Sequence, residues 1–215
     1  MIDANKNTII FDFGNVLIDL DFERCFQALE NVLNVDWSSR KLPQIIIDAI
    51  HKYDRGQIND EELIAAFQNF NPNANPNDII YAWNSLIGEI PNERFDLLNE
   101  LKDDFNLCIL SNINNLHINF ITDYLETKHT ITDFEDRFFN KVFYSHLIGK
   151  RKPDEEIYKY VTETLSAEPS QILFIDDMDE NIEAAINFGW NGRVHKPGSE
   201  ITEHIGTYLS ETGFK

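Results

Sequence analysis

Basic residues are scarce in this chain: 18 Lys and Arg stand against 37 Asp and Glu, and the formal net charge is −19. Binding to nucleic acid and attachment to anionic membranes both need a basic surface, so this deficit argues against both. We therefore expect neither a nucleic-acid partner nor a membrane partner. A small phosphorylated molecule is not excluded, but its phosphate must be bound locally, by a cation, a lysine or the N-termini of helices.

Cysteine and long apolar runs are also scarce. Cys25 and Cys108 are the two cysteines of 215 residues, and they are expected to be reduced. Asp3 and Lys6 interrupt the first residues, so no secretory leader is visible, and no run approaches the roughly 20 apolar residues of a membrane-spanning helix. We expect a soluble cytoplasmic protein, and nothing in the sequence indicates its oligomeric state.

Patterns typical of strands and helices alternate after residue 90. Short runs of apolar and β-branched residues predict strands, and helical spacing of apolar residues separates them. The predicted strands are 8–13, 106–110, 141–144, 171–175 and a short one near 193–194. This alternation predicts an α/β protein with a Rossmann-like parallel sheet as its core, covered by helices on both faces.

The stretch from residue 22 to residue 87 lacks a convincing strand pattern, and its apolar residues recur at helical spacing in four segments. We therefore predict two domains. Residues 1–16 and 90–215 form the Rossmann-like core, and residues 17–89 form an inserted helical cap domain.

Polar clusters follow four of the predicted strands. They are Asp12 to Asn15, Ser111 with Asn112, Lys152, and Asp176 with Asp177. Ligands of parallel sheets bind beyond the carboxyl ends of the strands, where these clusters are expected to meet. Carboxylates that converge at one edge repel each other unless a cation lies between them, and hard oxygen ligands without a nearby His–Cys cluster favour Mg²⁺.

Ser111 and Lys152 offer groups that suit a phosphate. Ser111 and Asn112 follow a strand and are expected to open a helix, whose N–H groups and hydroxyl suit a phosphate oxygen. A lysine at the position of Lys152 neutralises charge on a transferring phosphoryl group. Each residue alone is equally typical of a helix cap or a solvated surface, so the inference depends on the whole series.

The four clusters resemble the motifs of the haloacid dehalogenase superfamily of Asp-nucleophile hydrolases. The matching segments are Phe-Asp-Phe-Gly-Asn-Val at 11–16, Leu-Ser-Asn at 110–112, Gly-Lys-Arg-Lys-Pro at 149–153 and Phe-Ile-Asp-Asp-Met-Asp-Glu-Asn-Ile at 174–182. The resemblance runs from about residue 8 to residue 195. The first motif, with Asp21-Phe22 close behind, is most similar to the branch that includes α-D-glucose-1-phosphate phosphatase. The helical stretch at 17–89 matches the position of the superfamily's cap.

The resemblance implies a Mg²⁺-dependent phosphatase of a small phosphorylated metabolite, with a sugar phosphate as the leading class. Asp12 would be the nucleophile that forms an aspartyl-phosphate. The implied metal ligands are Asp12, the carbonyl of Gly14, Asp176 and Asp177. The implied phosphoryl or substrate contacts are Ser111, Asn112 and Lys152, with Lys152 also orienting Asp12. Asn181 would support the loop of the fourth motif.

Gly14 departs from the pattern of the superfamily's phosphatases, which carry a second Asp two residues after the nucleophile. That Asp protonates the leaving alkoxide and activates water, a contribution of roughly 10²–10⁴-fold. Three alternatives stay open. In the first, the leaving group departs with little help, as the anomeric oxygen of a sugar 1-phosphate does. In the second, Asp19, Asp21 or a cap residue such as His51 takes the place of the missing acid. In the third, the protein is a non-catalytic or very slow binder of phosphate and metal. Dehalogenation is a minor alternative, because nothing specific indicates a halide pocket.

Overall fold

A five-stranded parallel sheet forms the centre of the computed structural model, which describes residues 2–37 and 41–214. The strands are β1 (Thr8–Phe11), β2 (Asn106–Ser111), β3 (Lys141–Tyr144), β4 (Ile172–Asp176) and β5 (Asn191–Val194). Their order is β3-β2-β1-β4-β5, so β1 is central and pairs in parallel with β2 and β4. The prediction of an α/β fold with a parallel sheet is confirmed.

Eleven α-helices accompany the sheet within the described residues. They are α1 (Phe22–Leu33), α2 (Gln44–Tyr53), α3 (Asp60–Gln68), α4 (Pro76–Asn84), α5 (Asn92–Leu101), α6 (Asn115–Tyr124), α7 (Phe134–Phe138), α8 (Ser145–Ile148), α9 (Glu155–Leu165), α10 (Asp179–Phe188) and α11 (Ile201–Thr212). A π-helical turn (Leu125–His129) follows α6, and a 3₁₀ turn (Pro169–Gln171) precedes β4. In this part of the chain, no helix combines the length and the apolarity needed to cross a membrane.

Helices cover both faces of the sheet, as predicted. Successive strand residues point to opposite faces, and they belong to two separate apolar clusters. Ile9 and Phe11 pack in one cluster with residues of α5, α6, α7 and α11, whereas Ile10 packs in the other with residues of α9 and α10. All six residues of β2 are buried, because a sheet covered on both faces leaves neither side of a central strand in water.

The first four helices pack around a third apolar cluster, which includes Leu29, Phe67 and Trp83. Local signals define their starts. The Asp21 side chain accepts a hydrogen bond from Arg24 N at the start of α1, and a reciprocal pair of bonds between Asn59 and Glu62 caps α3. For the described residues, the prediction of helices without strands in this stretch is confirmed.

The chain enters and leaves these four helices through two adjacent segments. Leu20 and Ile87 form an antiparallel bridge, and Asp21 N donates to Leu86 O. Leu17, Ile18 and Ile87 pack with a sheet-face cluster rather than with the four helices. The division into a core and a cap domain stays a prediction.

Two predicted boundaries are wrong. The first strand ends at Phe11 rather than at residue 13, and Phe13 N turns to the Asp12 carboxylate at 2.7 Å. Ser111 and Asn112 do not open a helix: Ser111 ends β2, and α6 begins at Asn115 because the Asn114 side chain accepts from His117 N and caps it.

Candidate active site

Three of the predicted site residues meet beyond the carboxyl ends of β1 and β4. Asp12 follows β1 directly, and Asp176 is the last residue of β4. Lys152 Nζ lies 2.9 Å from Asp12 Oδ1 and 2.6 Å from Asp176 Oδ2, and all three side chains are buried. One ammonium group therefore bridges two carboxylates that neighbouring strands bring together.

Burial and charge act in opposite directions on these groups. Burial raises the pKa of Asp12 to about 7; Lys152 opposes this increase, and Asp176 and Asp177 add to it. Burial works to lower the pKa of Lys152, but Asp12 and Asp176 outweigh it, so the pKa of Lys152 is raised. The lysine is held in its charged form, whereas the ionised form of Asp12 is disfavoured unless more positive charge is supplied.

Asp177 completes a cluster of three carboxylates with Asp12 and Asp176. One oxygen from each lies within 4.8 Å of the others. Burial raises the pKa of Asp177; a hydrogen bond from Asn15 opposes that increase, and Asp176 adds to it. A divalent cation would relieve the repulsion, and a donor set of carboxylate oxygens alone fits Mg²⁺.

Two asparagines hold these carboxylates in place. Asn181 Nδ2 donates to Asp176 Oδ1 at 2.9 Å and to Oδ2 at 3.1 Å, which confirms the predicted support of this loop. Asn15 Nδ2 donates to Asp177 Oδ2 at 2.8 Å, from a backbone with φ of 55°, a region that Asn tolerates better than most residues. Sequence reasoning assigned no role to Asn15, although its place directly after Gly14 in a turn was a signal.

Ser111 and Asn112 lie at the end of β2, beside β1. Ser111 is buried and pairs in register with Tyr144 of β3. Asn112 Oδ1 accepts from Lys152 N, and its Nδ2 donates to Lys152 O, both at 2.9 Å. The Asn112 amide therefore positions the Lys152 backbone, and a substrate contact of Asn112 stays a prediction.

The space beside Gly14 is filled by Leu20. A Cβ atom on Gly14 would lie 2.7 Å from Leu20 Cδ1, closer than real Cβ contacts allow. Leu20 is held by its bridge to Ile87 and by a hydrogen bond of 3.3 Å from its N–H to Asn15 Oδ1. A side chain at position 14 would therefore require the Leu20 side chain to shift.

Two of the three suggested substitutes for that acid have other contacts. Asp19 Oδ1 lies 2.8 Å from Arg94 Nη2, and Asp21 caps α1. His51 is exposed on α2, and its pKa is lowered by partial burial and by the charges of Arg151 and Arg55. A catalytic role for any of the three stays a prediction.

Asp54 is a buried carboxyl group that sequence reasoning missed. It follows α2 directly, and its residue surface is 7% exposed. Burial raises its pKa to about 6, and Arg151 acts in the opposite direction. Asp54 lines a cavity of about 360 Å³ together with Asn112 and Asn181. In the sequence it stands before Gly56 in an ordinary turn, so nothing local indicates its burial.

The sequence model of one protein family, described as haloacid dehalogenase-like hydrolase, matches residues 6–189 of this chain. Among curated proteins, a D-ribitol-5-phosphate phosphatase of Bacteroides thetaiotaomicron is 21% identical over 205 residues. That similarity covers 94% of this chain and 98% of the relative.

Two solved structures are similar over nearly their whole length. One is a HAD family enzyme from Bacteroides thetaiotaomicron, solved as the wild-type protein in complex with magnesium and inorganic phosphate. It has a TM-score of 0.81 and 26% identity, and the match covers 92% of this chain and 98% of that one. The other is a HAD-like family hydrolase from Porphyromonas gingivalis, with a TM-score of 0.80, 25% identity and coverage of 95% and 98%. Because less than a tenth of this chain lies outside either match, both matches include most of the residues of α1–α4.

Proposed function

We propose that this chain, which belongs to the haloacid dehalogenase-like hydrolase family, is a Mg²⁺-dependent phosphatase of a small phosphorylated metabolite. The observation that carries the proposal is the contact of Lys152 with Asp12 and Asp176, beside a third carboxylate, that of Asp177. A phosphorylated sugar or sugar alcohol is the leading substrate class, because a relative of matching length is a D-ribitol-5-phosphate phosphatase. Both cysteines are free and buried, which supports a reducing, cytoplasmic compartment.

In the proposed reaction, Asp12 is the nucleophile. A carboxylate oxygen of Asp12 forms a bond to phosphorus, the bond to the ester oxygen breaks, and the leaving oxygen takes up a proton. Water then attacks the aspartyl-phosphate, which releases inorganic phosphate and restores Asp12. Lys152 orients Asp12 through the 2.9 Å contact and stabilises negative charge on the phosphoryl group, with Ser111 and Asn112 as further proposed contacts.

The proposed Mg²⁺ ligands are Asp12, the carbonyl oxygen of Gly14, Asp176 and Asp177. A bound Mg²⁺ ion neutralises charge on the phosphoryl oxygens, as metal ions do in other phosphoryl-transfer sites. Positive charge at this position also favours the ionised form of Asp12, which burial disfavours. The nucleophile would then be present as a carboxylate at neutral pH.

Leu20 bears on the choice of substrate. Because Gly14 carries no acid and the Leu20 side chain lies beside it, the leaving oxygen must take its proton from water or from another residue. A weakly basic leaving group, such as the anomeric oxygen of a sugar 1-phosphate, needs this help least. The same packing favours a second candidate function, slow or non-catalytic binding of phosphate and metal.

Phosphate release tests the proposal. The protein is incubated with Mg²⁺ and a panel that includes glucose 1-phosphate and ribitol 5-phosphate. We expect release that Asp12→Asn abolishes and that Asp136→Asn, an exposed acid on α7, leaves unchanged. No release above the Asp12→Asn level on any phosphate would refute a phosphatase. A beryllofluoride adduct on Asp12 would separate a competent nucleophile from the non-catalytic alternative.

A further inference from the structure

A cavity of about 360 Å³ lies where α1, α2 and α4 face the loops that follow β2 and β4. Asn112 and Asn181 line it, and their amides also contact Lys152 and Asp176, so the cavity adjoins the proposed reaction centre. The lining from α1 is largely apolar. Asp54, Asn114 and Arg151, which lie outside α1, are among the polar residues of the lining.

A hydrogen-bond network orients the Asp54 carboxylate. His117 Nε2 lies 3.3 Å from Trp83 O, a contact that requires an N–H on this nitrogen, so Nδ1 is the acceptor. Burial lowers the pKa of His117 to about 4, which keeps the ring neutral. Asn114 Nδ2 then donates to His117 Nδ1 at 3.3 Å and to Asp54 Oδ1 at 3.4 Å. Asn114 Oδ1 accepts from His117 N at 3.1 Å, so the orientation of the amide is determined.

The turn that carries Asp54 is packed tightly against the sheet-bearing part of the protein. Gly56 has φ of +64°, and a Cβ atom there would lie within 2.2 Å of the carbonyl oxygen of His146. Next to Asp54, the hydroxyl of Tyr53 accepts from Leu116 N at 3.1 Å. The carboxylate is therefore presented to the cavity from a constrained backbone.

Asp54 and Arg151 both have unused hydrogen-bonding capacity. Within the described residues, the long bond from Asn114 is the only hydrogen bond to the Asp54 carboxylate, and no ion pair within 4.0 Å joins it to Arg151. Arg151 Nε is buried and has no partner in the same part of the chain. Buried polar groups are nearly always paired. A hydroxyl group would satisfy both, because it donates to a carboxylate and accepts from an N–H.

We propose that Asp54 and Arg151 form a hydroxyl-binding subsite for the leaving group of the substrate. The hydroxyl donates to the Asp54 carboxylate and accepts from Arg151 Nε. This inference rests on the proposed function and narrows it to phosphate esters whose leaving group carries a further hydroxyl, as sugars and polyols do. A leaving group without one would leave Arg151 Nε unpaired and the Asp54 carboxylate with only the long bond from Asn114 among the described residues, so the subsite discriminates against it.

A pair of matched substrates tests the subsite. Ribitol 5-phosphate and pentyl phosphate have the same carbon chain and differ in hydroxyl groups. We expect Asp54→Asn to lower kcat/KM for ribitol 5-phosphate by about 10- to 100-fold, the worth of a hydrogen bond to a charged group, with a clearly smaller loss on pentyl phosphate. Arg151→Met should give the same selective loss. The control is Asp48→Asn on the exposed side of α2, which should keep the wild-type selectivity.

Two results would overturn the subsite. Unchanged selectivity of Asp54→Asn would mean that no hydroxyl is bound there. An equal loss on both phosphates would place Asp54 in the chemistry or in folding rather than in recognition. If the wild type releases phosphate from no member of the panel, the proposed function fails, and calorimetric binding of ribitol 5-phosphate decides the subsite. Weaker binding by Asp54→Asn than by Asp48→Asn then supports it, and equal binding overturns it.

Discussion

Replacing Lys152 by Met tests whether one ammonium group holds two carboxylates together in this site. The side chain is 1% exposed, and its Nζ lies 2.9 Å from Asp12 Oδ1 and 2.6 Å from Asp176 Oδ2. Met is unbranched and of similar length, so the substitution keeps most of the packing and removes the charge. Two buried carboxylates then lack their shared counterion.

The loss in free energy of unfolding depends on the interactions that each carboxylate retains in Lys152→Met. Removing one partner of a buried ion pair costs about 3–5 kcal/mol, because the remaining charge stays buried and uncompensated. Asp176 retains hydrogen bonds from Asn181 Nδ2 and Met178 N. Asp12, whose pKa is already raised to about 7, avoids part of the cost by taking up a proton. We therefore expect the free energy of unfolding to fall by about 3–5 kcal/mol for the whole group, not for each pair.

Urea denaturation at pH 7.5 without divalent cations measures this loss. The matched control is Lys150→Met, because Lys150 Nζ lies 3.3 Å from the exposed Glu156 carboxylate and such a pair contributes about 0–1 kcal/mol. Adding Asp176→Asn to Lys152→Met should recover part of the deficit, and Mg²⁺ should reduce it. A loss for Lys152→Met within about 1 kcal/mol of the Lys150→Met value would refute the reasoning.

Three further perturbations test the packing, the buried acid and the cation site. Gly14→Asp should lower the free energy of unfolding by about 1 kcal/mol, the lower end of the cost of overpacking, because its Cβ would lie 2.7 Å from Leu20 Cδ1, a terminal methyl group of a half-buried side chain. Urea denaturation should show partial recovery when Leu20→Ala is added, and a stable single variant would contradict the packing argument. The pKa of Asp54 is raised from 3.8 to about 6. Between these values the folded protein keeps a proton that the unfolded chain has lost, so stability falls as pH rises from about 4 to about 6, by about 3 kcal/mol. Asp54→Asn should show a smaller fall than the wild type in urea denaturation across that range, because the raised pKa of Asp12 still contributes one of the same sign. Equal slopes for both proteins would count against a buried acid at position 54. Chelating divalent cations should lower Tm and stop phosphate release, with both restored by Mg²⁺. A Tm that does not change when Mg²⁺ is added would argue against the carboxylate cluster as a cation site.

Much of the fold was predictable, because its signals are local. The continuous apolar runs of β1, β2 and β4 reflect strands buried on both faces, and the helical spacing between residues 22 and 87 reflects one apolar side on each helix. The expectation that Ser111 and Asn112 open a helix was wrong, because two asparagines, Asn112 and Asn114, both suit a cap. The hydrogen bonds of Asn112 to the Lys152 backbone leave the capping role to Asn114.

The part of the candidate site that lies at the ends of parallel strands was predictable. Asp12 and Asp176 had to approach each other once β1 and β4 were neighbours, and the approach of Lys152 followed from the resemblance. The contacts of Asn15 and Asn112 were not predictable, because an amide in a loop has many possible partners. Leu20 gave no signal either, since an apolar residue in a loop is not by itself evidence of packing.

The amino-acid sequence by itself determined the strands, the longer helices and the chemistry that gathers at one edge of the sheet, because periodicity and strand-end position are properties of short segments; it did not indicate the short helices α7 and α8. Only the tertiary structure decided which acids are buried and what surrounds Gly14. Asp54 owes its raised pKa to burial, and its carboxylate accepts a hydrogen bond from Asn114, 60 positions away in the chain. Leu20 is held against Gly14 through its bridge to Ile87. Burial and pKa depend on such distant contacts, and no short segment of sequence contains them.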